Sequence, residues 1–199
     1  MARAGVVLAE TTETGERGTN AFGMIETVLA AAKIGRGEIE CIAVGLGPGS
    51  YTGIRVALSI AQGWQLASGV KLLGIGSVEC LVVQVPAQKI IGRVNVVIDA
   101  QRGEFYLASY EFSTGDAKEM APLQIVSLPT VESRAGAGVT LIGPEVTRWF
   151  AAGSILFPQA ANLATLAARC GDFMAGEKPE PVYLRETTFV KAPPVQSLG

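Results

Sequence analysis

The sequence predicts an α/β protein built as two lobes. Strands and helices alternate through the first 85 or so residues, and β-rich runs follow a Pro and Gly break at Pro86–Gly92. Hydrophobic residues make up 49% of the 199 positions, enough to fill the interior of such an arrangement. We place an N-terminal α/β lobe at 1–88 and a C-terminal α/β lobe at 89–199, the second more antiparallel and ending in an extended tail.

Each element has its own local reason. Gly5–Glu10 is a short apolar run that reads as a strand, and Thr11–Thr19 is a polar loop. Ala21, Met24, Ile25, Val28, Leu29 and Ala32 recur at helical spacing, so an amphipathic helix starts at Ala21. Thr19 or Asn20 can cap it and Gly35 can end it. Ile39–Leu46 is a β-branched run closed by glycines, hence a buried strand. Thr52–Ser68 is apolar almost all round and predicts a helix covered on more than one side. Lys71–Ile75 is a further strand and Val78–Val85 a further helix. Val94–Ala100 and Glu104–Phe112 flank Gln101–Arg102–Gly103 as a hairpin. Gln124–Leu128 and Val139–Ile142 add strands, Asn162–Met174 a closing helix, and the stretch after Lys178 is proline-rich.

Composition excludes several chemistries. Sixteen Lys and Arg against eighteen Asp and Glu give a net charge of −2, so the chain has no global basic footprint for nucleic acid. It contains no histidine, which removes Ser/His/Asp and Cys/His nucleophile systems and every His-ligated metal. Cys41, Cys80 and Cys170 are widely spaced and read as buried apolar residues of a reduced, cytoplasmic protein, with no metal role. No run approaches the roughly 18 apolar residues of a membrane span, and no signal peptide is evident.

The most informative segment is Gly45–Arg55, GLGPGSYTGIR, between a strand and a helix. Gly47, Pro48, Gly49, Ser50, Tyr51, Thr52 and Gly53 form a glycine-rich turn that could present free amides to an anion, or could simply pack the helix tightly on the sheet. The Walker A ending is missing and the dinucleotide fingerprint is not matched.

Three blocks then carry a family resemblance. GPGSYTGIRVALSIAQGWQLASGVKLLGIGS resembles the signature block of the TsaB (YeaZ) family, VVIDAQRGEFYLASYE resembles its DAR-x-GE-x-Y hairpin, and PEPVYLR resembles its closing P-x-YLR motif. The resemblance implies the actin-like ATPase (ASKHA, ribonuclease H-like) two-lobe fold. It further implies a non-catalytic partner of a TsaD-like threonylcarbamoyltransferase in N6-threonylcarbamoyladenosine modification of tRNA. Also implied are homodimers, contact with a TsaE-like ATPase and with tRNA only through the complex, and no membrane. No cofactor is expected to be intrinsic, with ATP or ADP placed at the partner interface. The old peptidase (M22) label fails on the missing histidines. Members of that family begin with a strand resembling ILAIDTS; here the chain opens at Met1–Glu10 without it, so that strand and its acidic phosphate-site residue are expected to be missing.

The candidate interface residues are Met24, Ile25, Val28, Ile54, Arg55, Leu58 and Trp64, on two helices with more apolar surface than one sheet can cover. Asp99, Arg102 and Glu104 read as a turn held by charge-assisted hydrogen bonds, with a general acid/base pair as the alternative. Arg134, Arg148, Arg169 and Arg185 are scattered and make no RNA-binding face. The rival reading of the whole chain is an autonomous ATP-dependent small-molecule kinase of the same superfamily, resting on the glycine-rich loop.

Overall fold

The computed structural model describes residues 1–13, 20–114, 116–136, 138–170, 179–182 and 184. It opens with a minimal hairpin, β1 (Ala2–Arg3) and β2 (Val6–Val7), turned by Ala4 at φ 50° and Gly5 at φ 79°. The expected strand over Gly5–Glu10 therefore shrinks to two residues. Past Val7 the amides of Leu8 and Ala9 fold back onto the Met1 carbonyl instead of meeting a partner strand.

Helix α1 (Ala21–Ala32) follows the apolar stripe, with the Asn20 side chain accepting from the Gly23 amide at 3.1 Å. It stops at Lys33, left-handed at φ 55°, two residues before the glycine expected to end it. Strand β3 (Cys41–Gly45), helix α2 (Tyr51–Ser68) and strand β4 (Lys71–Ile75) form one unit, with β3 and β4 paired in parallel from Cys41↔Lys71 to Gly45↔Ile75. Among the described residues this sheet has two strands. Helix α3 (Ser77–Val82) follows, shorter than read from sequence, and passes through a 3-10 turn at Val85–Gln88.

The second sheet has five strands in the order β7-β6-β5-β8-β9. Strands β5 (Gly92–Asp99) and β6 (Glu104–Ser113) make the expected hairpin. Strand β7 (Asp116–Ser127) is antiparallel to β6 and starts eight residues earlier than expected; Leu128 begins helix α4 (Leu128–Arg134) instead of ending the strand. Strands β8 (Val139–Gly143) and β9 (Ser154–Ile155) extend the other side of β5 in parallel. Helix α5 (Ala160–Arg169), the last helix or strand among the described residues, returns to the first sheet: Leu163, Leu166 and Ala167 pack against Cys41, Ala43, Leu73 and Ile75. Residues 171–174 of the expected closing helix lie outside the described residues.

The core is split accordingly. Val44, Leu58, Ala61, Val70 and Leu72 fill the space between α2 and the first sheet. Val94, Val96, Ile98, Ala108 and Ile142 pack against Val78, Leu81 and Val85 on one face of the second sheet. Phe105, Leu107, Val131 and Val146 fill its other face, with Trp149 edge-on to Phe105 at 4.9 Å. Among the described residues two polar side chains are buried, and both are satisfied. Asn95 donates to the Arg134 carbonyl and accepts from Ser109 Oγ, while Gln84 donates to the carbonyls of Cys80 and Phe157.

The cysteines do not share one environment, as the sequence reading assumed: Cys80 is buried, Cys41 half-buried and Cys170 exposed. Burial, and Glu79 beside it, push the Cys80 thiol up to about 11.

Two outcomes follow from this packing. A Cβ at Gly143 would collide with the Val97 carbonyl, so Gly143→Ala should cost about 1–3 kcal/mol or more in urea unfolding. At Gly63 a Cβ meets nothing within 4 Å, and Gly63→Ala should instead stabilise by about 0.5–1 kcal/mol. In time-resolved alkylation read by mass spectrometry, Cys170 should react first, Cys41 more slowly and Cys80 only on unfolding. Because the Cys80 thiol keeps its proton at pH values where an unfolded thiol has lost it, its contribution to stability is complete below the unfolded pKa. That contribution should be lost as pH climbs toward about 11, visible as a falling unfolding midpoint.

Candidate functional site

The glycine-rich loop joins the end of β3 to α2. Gly47 and Pro48 are buried and Gly49 to Gly53 are exposed. Gly47 sits at φ 93°, where a Cβ would press on the Ile54 side chain at 2.8 Å, so this position requires glycine. Its carbonyl accepts from the Ser77 amide at 2.7 Å, fastening the loop to the start of α3. Ser50 caps α2, its hydroxyl accepting from the Gly53 amide at 3.3 Å. The Arg55 guanidinium lies over the Tyr51 ring, 4.2 Å from its centroid.

Val182 brings the closing segment to this same place, its amide donating to the Leu46 carbonyl at 2.9 Å. The first and third sequence blocks, far apart in the chain, are thus neighbours where β3 enters the loop. Tyr183 and Arg185 of the closing block lie outside the described residues.

Helix α2 is covered on one side only. Leu58 and Ala61 face the sheet; Leu58, at 5% exposed, is a core residue and not part of any outward surface. Ile54 and Trp64 are partly buried against the same cluster. Outside that cluster Tyr51, Arg55, Val56 and Leu66 are exposed and Gln62 is half-buried. Tyr51 is 58% exposed and Leu66 91%, with Val56 beside them at 44%. In α1 only Leu29 is buried. Met24, Ile25 and Val28 are half-buried, and Phe22 is 69% exposed.

The sequence reading chose Met24, Ile25, Val28, Ile54, Arg55, Leu58 and Trp64. It passed over Phe22, Val56 and Leu66, three of the exposed large apolar residues of these helices. Val56 and Leu66 were legible only as surplus in a helix apolar all round; which part of the surplus faces out depends on where the sheet lies.

The Asp99–Glu104 turn belongs to the second sheet. Asp99 accepts from the Gln101 amide at 2.7 Å and from its side-chain nitrogen at 3.2 Å, while Gln101, Arg102 and Gly103 all take positive φ. The partner that Asp99 holds is therefore Gln101, where the sequence reading looked to Arg102. Among the described residues no group of three or more Cys, Asp or Glu is placed to hold a metal ion, and no helix is long and apolar enough to cross a membrane.

Comparisons with known proteins point one way. Residues 18–174 match the family model described as TsaD, tRNA N6-adenosine threonylcarbamoyltransferase. The chain is 27% identical over 188 residues to the tRNA threonylcarbamoyladenosine biosynthesis protein TsaB of Escherichia coli, covering 86% of this chain and 81% of that one. The TsaB of Bacillus subtilis is 29% identical over 91 residues, 46% of this chain and 39% of its own. Among solved structures, YeaZ from Pseudomonas aeruginosa superposes with a TM-score of 0.64 at 25% identity, over 83% of this chain and 84% of that chain. A Pseudomonas aeruginosa protein described as uncharacterized, with similarity to peptidase YeaZ, gives 0.65 at 26% over 82% of each. With the actin-like α/β fold and the matched motif blocks, the chain belongs to the TsaD family of threonylcarbamoyltransferase-like proteins, on its TsaB (YeaZ) branch.

Proposed function

We propose that this chain acts in tRNA threonylcarbamoyladenosine biosynthesis as a non-catalytic subunit that binds and activates a TsaD-like threonylcarbamoyltransferase. The observation that carries the reading is the likeness to a protein named TsaB over 86% of the chain. The missing histidines agree with it, since they leave the chain nothing with which to build a His-ligated metal centre. The surface assigned to the partner is made of the exposed apolar residues of α2 and α1: Phe22, Tyr51, Val56 and Leu66.

The same surface serves a homodimer of this chain and the heterodimer, each burying about 1,200–2,000 Å² in total. A subunit of this kind raises activity by binding the competent state of the enzyme more tightly than its other states. Contact with tRNA and with a TsaE-like ATPase is made through the complex.

The glycine-rich loop argues against a nucleotide held by this chain alone. Ser50 takes the Gly53 amide and Arg55 lies over Tyr51, and the loop carries no lysine. We keep ATP or ADP for the partner interface, and no step here runs through it. The kinase reading rests on that loop alone, and the same contacts count against it.

Depleting the native protein, supplying this chain and quantifying N6-threonylcarbamoyladenosine in bulk tRNA by mass spectrometry should restore the modification. Modification of tRNA by the purified chain alone would sink the proposal. The surface itself is tested by substitution. Leu66→Ser should leave stability within about 0.5 kcal/mol while weakening binding to the TsaD-like partner by about tenfold or more in calorimetry. Leu58→Ala, inside the core, should instead cost about 2–5 kcal/mol of stability.

A further inference from the structure

Leu46 and Gly47, where the chain leaves β3 for the glycine-rich loop, are held by three backbone bonds. The Leu46 amide donates to the Ile75 carbonyl at the end of β4, at 2.9 Å. The Gly47 carbonyl accepts from the Ser77 amide at the start of α3, at 2.7 Å. The third bond comes from the closing segment, where the Val182 amide donates to the Leu46 carbonyl at 2.9 Å. Every group in this arrangement lies at or after Leu46 in the sequence.

The closing segment is seated on the molecule. Pro179 is buried, Pro181 and Val182 are half-buried, and Glu180 is exposed. With proline at 179 and 181 carrying no N–H, Glu180 and Val182 hold the two backbone donors of these four residues. The same prolines restrict the segment before it seats, so less chain entropy is lost when it does. On the other side of the bond, the Leu46 side chain lies directly against Gly74 of β4 and packs on the cluster between α2 and the first sheet.

We infer that Pro179–Val182 is a strap, whose bond to Leu46 locks the root of the glycine-rich loop so that strap, loop and the first turn of α2 open and close as one unit. Residues Gly49 to Gly53 are exposed, and three of the seven residues from Gly47 to Gly53 are glycine. Such a stretch loses much backbone entropy on ordering and has little packing of its own to offset it. Its conformation is therefore set where it is rooted, at Leu46 and Gly47, and at the Ser50 cap. Removing one of three ties at the root lowers the cost of opening for everything hung on it. Tyr51, the first residue of α2, belongs to the surface proposed for the partner, so the strap gives that surface a control point outside itself. That last consequence rests on the proposed function; the strap does not.

Hydrogen exchange of the full chain, read residue by residue, tests it. Val182→Pro deletes the donor and Val182→Ala keeps it. In Val182→Pro the amides of Ser77 and Gly53 should exchange about three- to tenfold faster, while that of Val96, in the second sheet, keeps its parent rate. In Val182→Ala the Ser77 and Gly53 rates should stay within about twofold of the parent. Unchanged rates in Val182→Pro, or equal acceleration in both variants, overturn the proposal. The parent chain gives a second reading that needs no variant. As urea is raised, Val182, Ser77 and Gly53 should lose protection together; a Val182 amide that exchanges freely while Ser77 stays protected overturns the strap. None of these readings uses the partner, so failure of the strap and failure of the pathway role are seen separately.

Discussion

The burial of α3 between two sheets is the constraint on which the rest of the molecule depends. This short helix follows directly from β4, yet Val78 and Leu81, with Val85 just beyond, are fully buried against β5, β6 and β8 of the second sheet. Its opposite side turns Cys80 into the cluster formed by Leu73, Ile75 and α5. Gln84 then fixes the exit, with one amide group bonded both to the carbonyl one turn back and to Phe157 beyond β9. A helix apolar on both sides cannot be satisfied by either sheet alone, so the two sheets are held at a fixed spacing by a shared element.

With the sheets placed in this way, the freedom left to the molecule lies on the far side of the first one. Helix α2 has one sheet to cover it and an apolar circumference that exceeds what that sheet can take. Leu58 and Ala61 go in, while Tyr51, Val56 and Leu66 stay out. Helix α1, held mainly through Leu29, adds Phe22 to the same exterior. Patches of this kind are unusual on a chain that works alone and ordinary on one that works in a complex.

Much of the fold was legible in the sequence wherever a residue's neighbours are set by a local period. The 21, 24, 25, 28, 29, 32 stripe located α1, and the run Lys71–Ile75 located β4 to the residue. The Gln101–Arg102–Gly103 turn located the β5–β6 hairpin. What was missed depends on partners distant in sequence. The first half of β7, from Asp116 to Met120, is polar and exposed on both faces and is a strand only because β6 runs beside it. Gly5–Glu10 looked like a strand by composition but has only Ala2 and Arg3 to pair with. Lys33 ends α1 because it can adopt the left-handed turn itself, which no glycine rule anticipates. For the candidate site, the motifs located the loop and the helix, while the division of α2 into inward Leu58 and outward Leu66 required knowing which side the sheet occupies.

The return of α5 to the first sheet also sets an order of events during synthesis. Cys41, Ala43, Leu73 and Ile75 are all made well before the residues that cover them, Leu163, Leu166 and Ala167, which follow Ile75 by 88 positions or more (163 − 75). Even the capping of α5 reaches back, since the Glu10 carboxylate accepts from the Ala161 amide at 2.9 Å across 151 positions of sequence. That face of the first sheet therefore stays uncovered until translation has passed Ala167. Slow decoding between Ile75 and Leu163 lengthens that exposure.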